Sequence, residues 1–250
     1  MSMLTQQRRE EILRILNENG AVTVTELTAV LDASESTIRR DLIAMDQKGL
    51  LNKVHGGATA ADHQFLHYEL AFDEKINEHV EEKRRIAAYA AGQIQDSDFV
   101  YLDAGTTTFL MIDFITAKNA EFMTNGLAHA TELAKRGFTA YMVGGALKAS
   151  TEAVVGLAAA QNLEKFNFSK AFMGANGIDL RRGYSTPDTD EAFLKSKAIE
   201  QAFVSYVVAD SSKFGKVSTV TFSPLDSSAI ITDALPEKIY GEHTVVKIVS

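Results

Sequence analysis

The sequence predicts an α/β chain in two parts. A short helical part with a β-hairpin precedes a larger domain, built on a mostly parallel sheet flanked by helices. Apolar residues recur at helical spacing over residues 1–58, and this segment ends in a glycine-rich turn. From residue 81 onward, short apolar runs alternate with amphipathic stretches, as expected for parallel strands covered by helices on both faces. Because residues 59–80 are weakly periodic, we predict a linker there and a second domain over 81–250.

The composition is that of an ordinary globular protein without a metal or cofactor motif. Of the 250 residues, 46% are hydrophobic and 23% are charged. There is no cysteine, and the six histidines lack zinc-ligand spacing, so we expect no metal and no cofactor. Charges such as Arg8 and Glu10 interrupt the N-terminus, and no apolar run is long enough to span a bilayer. We therefore expect a cytoplasmic protein that does not contact a membrane.

The overall charge gives no support for a nucleic-acid partner. The chain carries a net charge of −8, and residues 1–60 are close to neutral, with 7 Lys+Arg against 8 Asp+Glu. Any case for nucleic-acid binding must therefore come from the local arrangement of side chains.

The first part of the chain reads as three helices followed by a β-wing. A first helix begins near Thr5, and Thr23 with Glu26 forms a capping box for a second one. After a tight turn, Ser34 caps a third helix, whose inner face carries apolar residues and which Gly49 closes. Residues 50–57 fit a small hairpin with a glycine turn, so the whole segment predicts a winged helix-turn-helix.

In a helix-turn-helix, the second helix of the motif enters the major groove of DNA with its N-terminus first. Hydroxyl groups there suit phosphates, and arginine side chains suit guanine edges or phosphates. The alternative is a small helical bundle with solvated arginines, but the ordered cap, turn, arginine pair and wing favour DNA binding. Glu35 would also face the DNA, and the predicted DNA-binding residues are Ser34, Ser36, Thr37, Arg39, Arg40, Lys53 and His55.

The second part places four polar turns after predicted strands. Residues 103–108 read Asp-Ala-Gly-Thr-Thr-Thr at the start of a helix, where free amides and hydroxyls suit a phosphate. Turns rich in Gly and Asn follow three more strands, at 124–126, 143–145 and 174–177. Such residues are common in turns for conformational reasons alone. Four of them at one edge of a parallel sheet favour a ligand crevice.

Charged residues near the same edge complete the predicted site. Lys213 follows a strand and can supply a cation for a phosphate, although a solvated surface lysine is an equally good interpretation. Glu191 and Lys195 lie one helical turn apart and form either part of the crevice or a surface ion pair. The predicted effector-binding residues are Asp103, Gly105, Thr106, Thr107, Thr124, Asn125, Gly144, Lys148, Asn176, Gly177, Glu191, Lys195, Asp210 and Lys213.

Residues 37–42, Thr-Ile-Arg-Arg-Asp-Leu, and 55–58, His-Gly-Gly-Ala, resemble the DNA-binding domain of DeoR-type regulators of sugar metabolism. The polar turns and the Asp-Ser-Ser-Lys run at 210–213 resemble the sensor domain of that family. The resemblance implies a repressor of a sugar-utilisation operon that a sugar phosphate releases. Residues 173–179, with 186–192, look most like fructose-operon repressors, which suggests fructose 1-phosphate as the effector. The implied partners are double-stranded operator DNA, the effector and a second copy of the chain in a dimer or tetramer.

The second domain is also similar to ribose-5-phosphate isomerase. That enzyme family carries acid/base carboxylates in an Asp-Gly-Ala-Asp-Glu run, where this chain has Met-Gly-Ala-Asn-Gly at 173–177. Proton transfer at a sugar carbon needs a titratable base, so we expect no enzyme and no catalytic residue. Two alternatives stay open: an isomerase-like enzyme that uses Asp103 or Glu191 instead, and a scaffold whose second domain only mediates assembly.

Overall fold

The computed structural model describes residues 5–47, 50–60, 64–66 and 71–249 and shows two compact units, residues 1–65 and 66–250. Gly49, predicted to close the third helix, lies outside the described residues. So do residues 61–63 and 67–70 of the predicted linker. The described rest of that linker carries a short strand and a short helix.

The first unit is a winged helix-turn-helix, as predicted. Its strands form an antiparallel sheet in the order β1-β3-β2, in which the unpredicted strand β1 pairs with the wing. The elements are α1 (Thr5–Asn19), β1 (Ala21–Thr23), α2 (Val24–Leu31), α3 (Glu35–Asp46), β2 (Leu51–Val54) and β3 (Gly57–Ala60).

Local side-chain caps define the helix-turn-helix. Thr23 and Glu26 form both hydrogen bonds of the predicted capping box at the start of α2. Asp32 adopts a left-handed backbone with φ of 47°, which ends α2 and turns the chain. The Ser34 hydroxyl then accepts a hydrogen bond of 3.3 Å from the Thr37 amide, so α3 begins where the sequence predicts.

A buried ion-pair cluster joins α1 to α3. Asp41 is almost fully buried on α3, and its two carboxylate oxygens accept from Arg8 at 2.7 Å and from Arg9 at 2.8 Å. Apolar residues of α1, α2 and α3 pack beside it, including Ile12, Leu27 and Ile38. The acidic residue of the Thr-Ile-Arg-Arg-Asp-Leu stretch therefore stabilises the unit and does not face solvent.

The second unit contains a seven-stranded parallel sheet. A smaller three-stranded antiparallel sheet and an antiparallel hairpin also belong to this unit and were only partly predicted. Its elements, with β4 at the boundary between the units, are β4 (Gln64–Leu66), α4 (Phe72–Lys75), α5 (Val80–Ala91), β5 (Phe99–Leu102), α6 (Thr106–Met111), β6 (Glu121–Thr124), α7 (Leu127–Lys135), β7 (Thr139–Met142), β8 (Ala146–Lys148), β9 (Ala153–Val155), α8 (Leu157–Leu163), β10 (Phe168–Met173), β11 (Gly177–Asp179), β12 (Gly183–Thr186), α9 (Thr189–Glu200), β13 (Ala202–Val208), β14 (Lys216–Ser218), β15 (Val220–Ser223), β16 (Ala229–Thr232), α10 (Tyr240–His243) and β17 (Val246–Ile248).

The order of the large sheet is β17-β16-β13-β10-β5-β6-β7, and every neighbouring pair is parallel. The chain runs from β5 outward to β7 and then returns to place β10 on the other side of β5. The direction of winding therefore reverses between β5 and β10. In open α/β sheets, ligands bind at such a point, outside the carboxyl ends of the strands.

Helices cover both faces of this sheet, as the continuous apolar strands require. Val100 and Leu102 of β5 pack with Ile86 of α5 on one face. Tyr101 of the same strand packs with Leu163 of α8 and Leu194 of α9 on the other. No helix in the described ranges is long and apolar enough to cross a membrane.

The predicted helix at 151–163 is wrong in its first half. Residues 153–155 form β9, which pairs antiparallel with β8, and α8 begins only at Leu157. All three residues of the run Ala-Val-Val in β9 are buried and its two valines are β-branched, which favours a strand in this context. The predicted strand at 217–222 is likewise two strands, β14 and β15, which belong to different sheets.

We expect Asp41→Ala to destabilise the first unit by roughly 3 kcal/mol, because it removes the carboxylate that neutralises the buried end of Arg8. Hydrogen exchange of the α1 and α3 amides in the full chain measures this loss. Glu11→Ala is the control, because its partner Arg14 is exposed on α1 and such a pair stabilises little. Equal loss of protection in both variants would contradict a special role for Asp41.

Candidate functional site

A cleft lies at the predicted edge of the large sheet, in the second unit. It is lined by the turns that follow β5, β6, β10 and β13, and its empty volume is about 660 Å³, part of which is open to solvent. The lining residues are Phe72, Lys75, Lys83, Asp103, Ala104, Gly105, Thr106, Thr107, Asn125, Thr151, Ala153, Gly174, Ala175, Asn176, Glu191, Lys195, Val208, Ala209, Asp210 and Lys213.

The turn after β5 presents backbone and hydroxyl groups to the cleft. Gly105 precedes α6, and Thr106 and Thr107 are its buried first residues. The Thr108 hydroxyl donates to the carbonyls of Asp103 and Gly105, and these hydrogen bonds stabilise the conformation of the turn. The first amides of a helix have no partner within the helix and are suited to an anion.

Behind this turn lies His129, which the sequence analysis did not single out. Its Nε2 is 3.0 Å from the Gly105 carbonyl and 3.2 Å from the Thr108 hydroxyl. Burial lowers the pKa of His129 to about 4, so the ring is neutral at pH 7 and donates through one nitrogen only. The ring packs against Gly126. A larger residue would not fit at that position, because a Cβ there would lie 2.4 Å from the Nδ1 of His129.

Three lysines converge on the cleft near Asp210. Lys83 of α5 is buried and donates to the carbonyl of Lys75, and Lys213 has its ammonium 4.0 Å from the Asp210 carboxylate. Burial raises the pKa of Asp210, but the Lys213 ammonium and hydrogen bonds from Ser212 outweigh it and lower that pKa below its usual range. This end of the cleft therefore holds an ionised carboxylate among several ammonium groups.

The lysine pKa values show how these groups act on one another. Burial lowers the pKa of Lys83 to about 8; Asp210 and Glu78 oppose the shift, whereas Lys213 and Lys75 add to it. Burial also lowers the pKa of Lys213, with a further contribution from the repulsion of Lys75. Burial and the neighbouring lysines thus destabilise the charged forms of Lys83 and Lys213, and the nearby carboxylates offset this only in part. A bound anion would stabilise the charged forms.

Another part of the cleft is built around a buried ion pair. The Asp103 carboxylate accepts from the ammonium of Lys195 and, at 3.0 Å, from the amide of Gly174. Lys195 also donates to the Gly174 carbonyl at 3.2 Å. Asp103 is thereby fixed between the end of β10 and α9.

Asn125 and Glu191 complete the polar lining. The Asn125 side-chain oxygen accepts from the Tyr101 hydroxyl at 3.1 Å and from the Ala104 amide at 3.0 Å. The Glu191 carboxylate accepts from Thr151 at 3.0 Å and from Lys148 at 2.9 Å. The second contact also ties the β8–β9 hairpin to α9.

Most of the residues predicted to bind an effector line the cleft, and four do not. Thr124 is buried and its hydroxyl accepts from the Gly126 amide, and Gly144 is exposed. Gly177 lets the backbone of β11 approach that of Lys216 closely, since a Cβ there would lie 2.3 Å from the Lys216 carbonyl. Lys148 bonds Asp188 and Glu191 at 2.9 Å each and reaches the site only through Glu191. The predicted residues on the cleft are Asp103, Gly105, Thr106, Thr107, Asn125, Asn176, Glu191, Lys195, Asp210 and Lys213.

Sequence reasoning missed Lys75, Lys83 and Thr151. Lys75 belongs to α4, in a segment predicted as a linker, and Thr151 lies in a hairpin that was predicted as helix. Lys83 is one of several charges on α5, but it lies three and four residues before the buried Ile86 and Ala87, so the helical period places it on the buried face. Only the tertiary structure brings these three residues into one cleft.

In the first unit, the predicted DNA-binding residues lie on α3 and on the wing. Ser34, Ser36, Arg39 and Arg40 are exposed, and Thr37 is half-buried. Arg39 pairs with Glu35 at 3.0 Å, whereas Arg40 forms no ion pair with any described residue. Lys53 and His55 are exposed on the β2–β3 hairpin.

Both units match known protein domains. Residues 8–64 match the DeoR-like helix-turn-helix domain, and residues 78–234 match the DeoR C terminal sensor domain. The chain is 40% identical, over 99% of both sequences, to the uncharacterised HTH-type transcriptional regulator FruR of Bacillus subtilis (strain 168). It is 32% identical to the lactose phosphotransferase system repressor of Staphylococcus aureus (strain N315), over 97% of this chain and 98% of that protein.

Among solved structures, ribose 5-phosphate isomerase a from Methanocaldococcus jannaschii is similar at a TM-score of 0.41, with 14% identity over 55% of each chain. That similarity assigns no activity to this chain. The full-length relatives are named as regulators and not as enzymes, which removes the isomerase alternative. On the strength of these matches over both units, the chain belongs to the DeoR family of helix-turn-helix transcriptional regulators.

Proposed function

We propose that this regulator is a cytoplasmic repressor of a sugar-utilisation operon, released from its operator when a phosphorylated sugar binds the cleft of the second unit. The observation that carries the proposal is the group of three lysines that line the cleft near Asp210, which follows β13. Two relatives whose names refer to sugar systems support the class of operon: FruR, and the lactose phosphotransferase system repressor.

The lysines fit the phosphate of such an effector. A phosphomonoester carries between one and two negative charges at pH 7 and offers three acceptor oxygens. Lys75, Lys83 and Lys213 supply the cations, and the turn at Gly105 and Thr106 supplies amide and hydroxyl donors. A dianion would offset the burial, and the smaller effect of repulsion between the lysines, that lower the pKa of Lys83 and Lys213 in its absence.

The remaining lining fits the hydroxyls of a sugar. Asp103 and Glu191 are buried carboxylates, and Asn176 is an amide beside them. Carboxylate oxygens accept hydrogen bonds from hydroxyls, and sites built this way discriminate strongly between polar ligands. We favour fructose 1-phosphate as the effector, because of the resemblance of residues 173–179 to fructose-operon repressors and the name of the FruR relative.

The response to effector is a linkage between two binding equilibria. One winged helix-turn-helix contacts too little DNA for tight specific binding, so we propose a dimer or tetramer on repeated half-sites. The effector needs only to bind better to the arrangement that cannot hold DNA, and the coupling is reciprocal.

We expect Lys213→Ala to weaken effector binding by about one to two orders of magnitude, since it removes a charge-assisted bond of roughly 1.5–3 kcal/mol. Operator affinity without effector should stay near that of the parent. Titration of fructose 1-phosphate and fructose 6-phosphate into the protein–DNA complex measures both quantities. Thr106→Ala should act in the same direction but more weakly, and the exposed Lys238→Ala is the control. Release of Lys213→Ala at parent-like effector concentrations would remove this lysine from the site.

Effector affinity should also fall as the pH rises through about 8. The bound phosphate raises the pKa of Lys83, so above the pKa of the free protein, binding must take up a proton. The ordinary pKa of a phosphate is near 6, so the ligand itself does not titrate in this window. Calorimetry at pH 7, 8 and 9 tests this expectation, and Lys83→Met should bind more weakly and lose most of the pH dependence. An unchanged slope in that variant would exclude Lys83 as its source.

A further inference from the structure

The first turn of α3 carries a carboxylate on the surface that meets DNA. Glu35 is the first residue of α3, its side chain is 60% exposed, and it pairs with Arg39 four residues later at 3.0 Å. The Arg39 side chain is 55% exposed, so both groups of the pair are accessible to a partner.

Neither stability nor general affinity accounts for this carboxylate. An exposed ion pair and a first-turn carboxylate that faces the helix dipole each stabilise a helix by at most about 1 kcal/mol, and Ser34 already caps α3 with its hydroxyl. DNA carries a dense negative charge, so a carboxylate on the contact face weakens binding to every sequence. The Glu35 carboxylate therefore lowers the affinity for DNA unless it makes a contact that only some DNA sequences offer.

The major groove offers such a contact. The amino group at N4 of cytosine is a donor that carboxylate oxygens accept, and arginine donates to guanine. The guanidinium of Arg39 contacts Glu35 through one terminal nitrogen and has further donors for a base. The pair therefore presents to the bases a hydrogen-bond acceptor, the carboxylate of Glu35, beside the donors of the Arg39 guanidinium.

We propose that Glu35 determines operator sequence by accepting from the N4 amino group of one cytosine, while it orients Arg39 toward an adjacent guanine. Arg40 forms no ion pair with a described residue, so its charge is available to the phosphate backbone. The inference rests on α3 being the helix that enters the major groove.

The test selects binding sites from a pool of randomised duplex DNA, with the full chain and with its Glu35→Ala and Arg40→Ala variants. The parent should enrich a site with a cytosine at one fixed position. Glu35→Ala should lose the preference at that position, keep the rest of the site, and bind the parent's site roughly 5- to 100-fold more weakly. On unrelated duplex its affinity should rise, because a negative charge has been removed.

Glu18→Ala is the matched control, because Glu18 pairs with Arg14 on α1 at the same spacing and is similarly exposed. It should enrich the parent's site with the parent's affinity. An unchanged site for Glu35→Ala would overturn the proposal, and so would an equal loss of affinity on all sequences, which indicates a structural role. Parent-like binding by Arg40→Ala would show that the premise about α3 fails, whereas a loss in Arg40→Ala with no change in Glu35→Ala would reject the cytosine contact alone.

Discussion

The cleft depends on the contacts of the Asp103 carboxylate. Asp103 directly follows β5, and its carboxylate accepts from the Gly174 amide after β10 and pairs with Lys195 of α9. β5 and β10 are the strands between which the winding of the sheet reverses, and ligands bind outside the carboxyl ends of strands at such a point. A buried carboxylate is costly unless it is paired and hydrogen-bonded, and here the turn after β10 and α9 meet both conditions. The contacts that satisfy Asp103 therefore also join the elements that line the cleft.

The distribution of charge within the second unit follows from this arrangement. The chain is acidic overall, with a net charge of −8, yet four lysines and three carboxylates line the cleft. Lys195 is neutralised inside the floor by Asp103, whereas Lys83 and Lys213 repel one another beside Asp210. The cleft is therefore divided into a part whose charges are paired internally and a part in which several ammonium groups surround one carboxylate. In the function proposed above, the phosphate of the effector binds at the second part and its hydroxyls at the first.

The sequence predicted those features that local chemistry decides. The capping box at Thr23, the cap at Ser34 and the polar turn at Gly105 depend on neighbouring residues and were predicted correctly as local structure. The β8–β9 hairpin was missed, because a short apolar run is compatible with a helix or a strand until its partner is known. Lys83 lies on the buried face of α5 by its spacing from Ile86 and was overlooked. The groups that it meets there, Asp210 and Lys213, are distant in sequence and could not be predicted from α5 alone.

Residues 37–42 of α3 contribute side chains both to the core of the first unit and to its exposed surface. Ile38, Asp41 and Leu42 recur at helical spacing and are buried, the carboxylate by means of Arg8 and Arg9 from α1. Arg39 and Arg40 occupy the intervening positions and are exposed. Because 3.6 residues make a turn, the two sets lie on opposite faces of α3. A residue type alone does not separate the roles, since the motif contains charged residues of both kinds. The helical period separates them, because it assigns the aspartate to the core and the arginines to the exposed face, where we propose the DNA contacts.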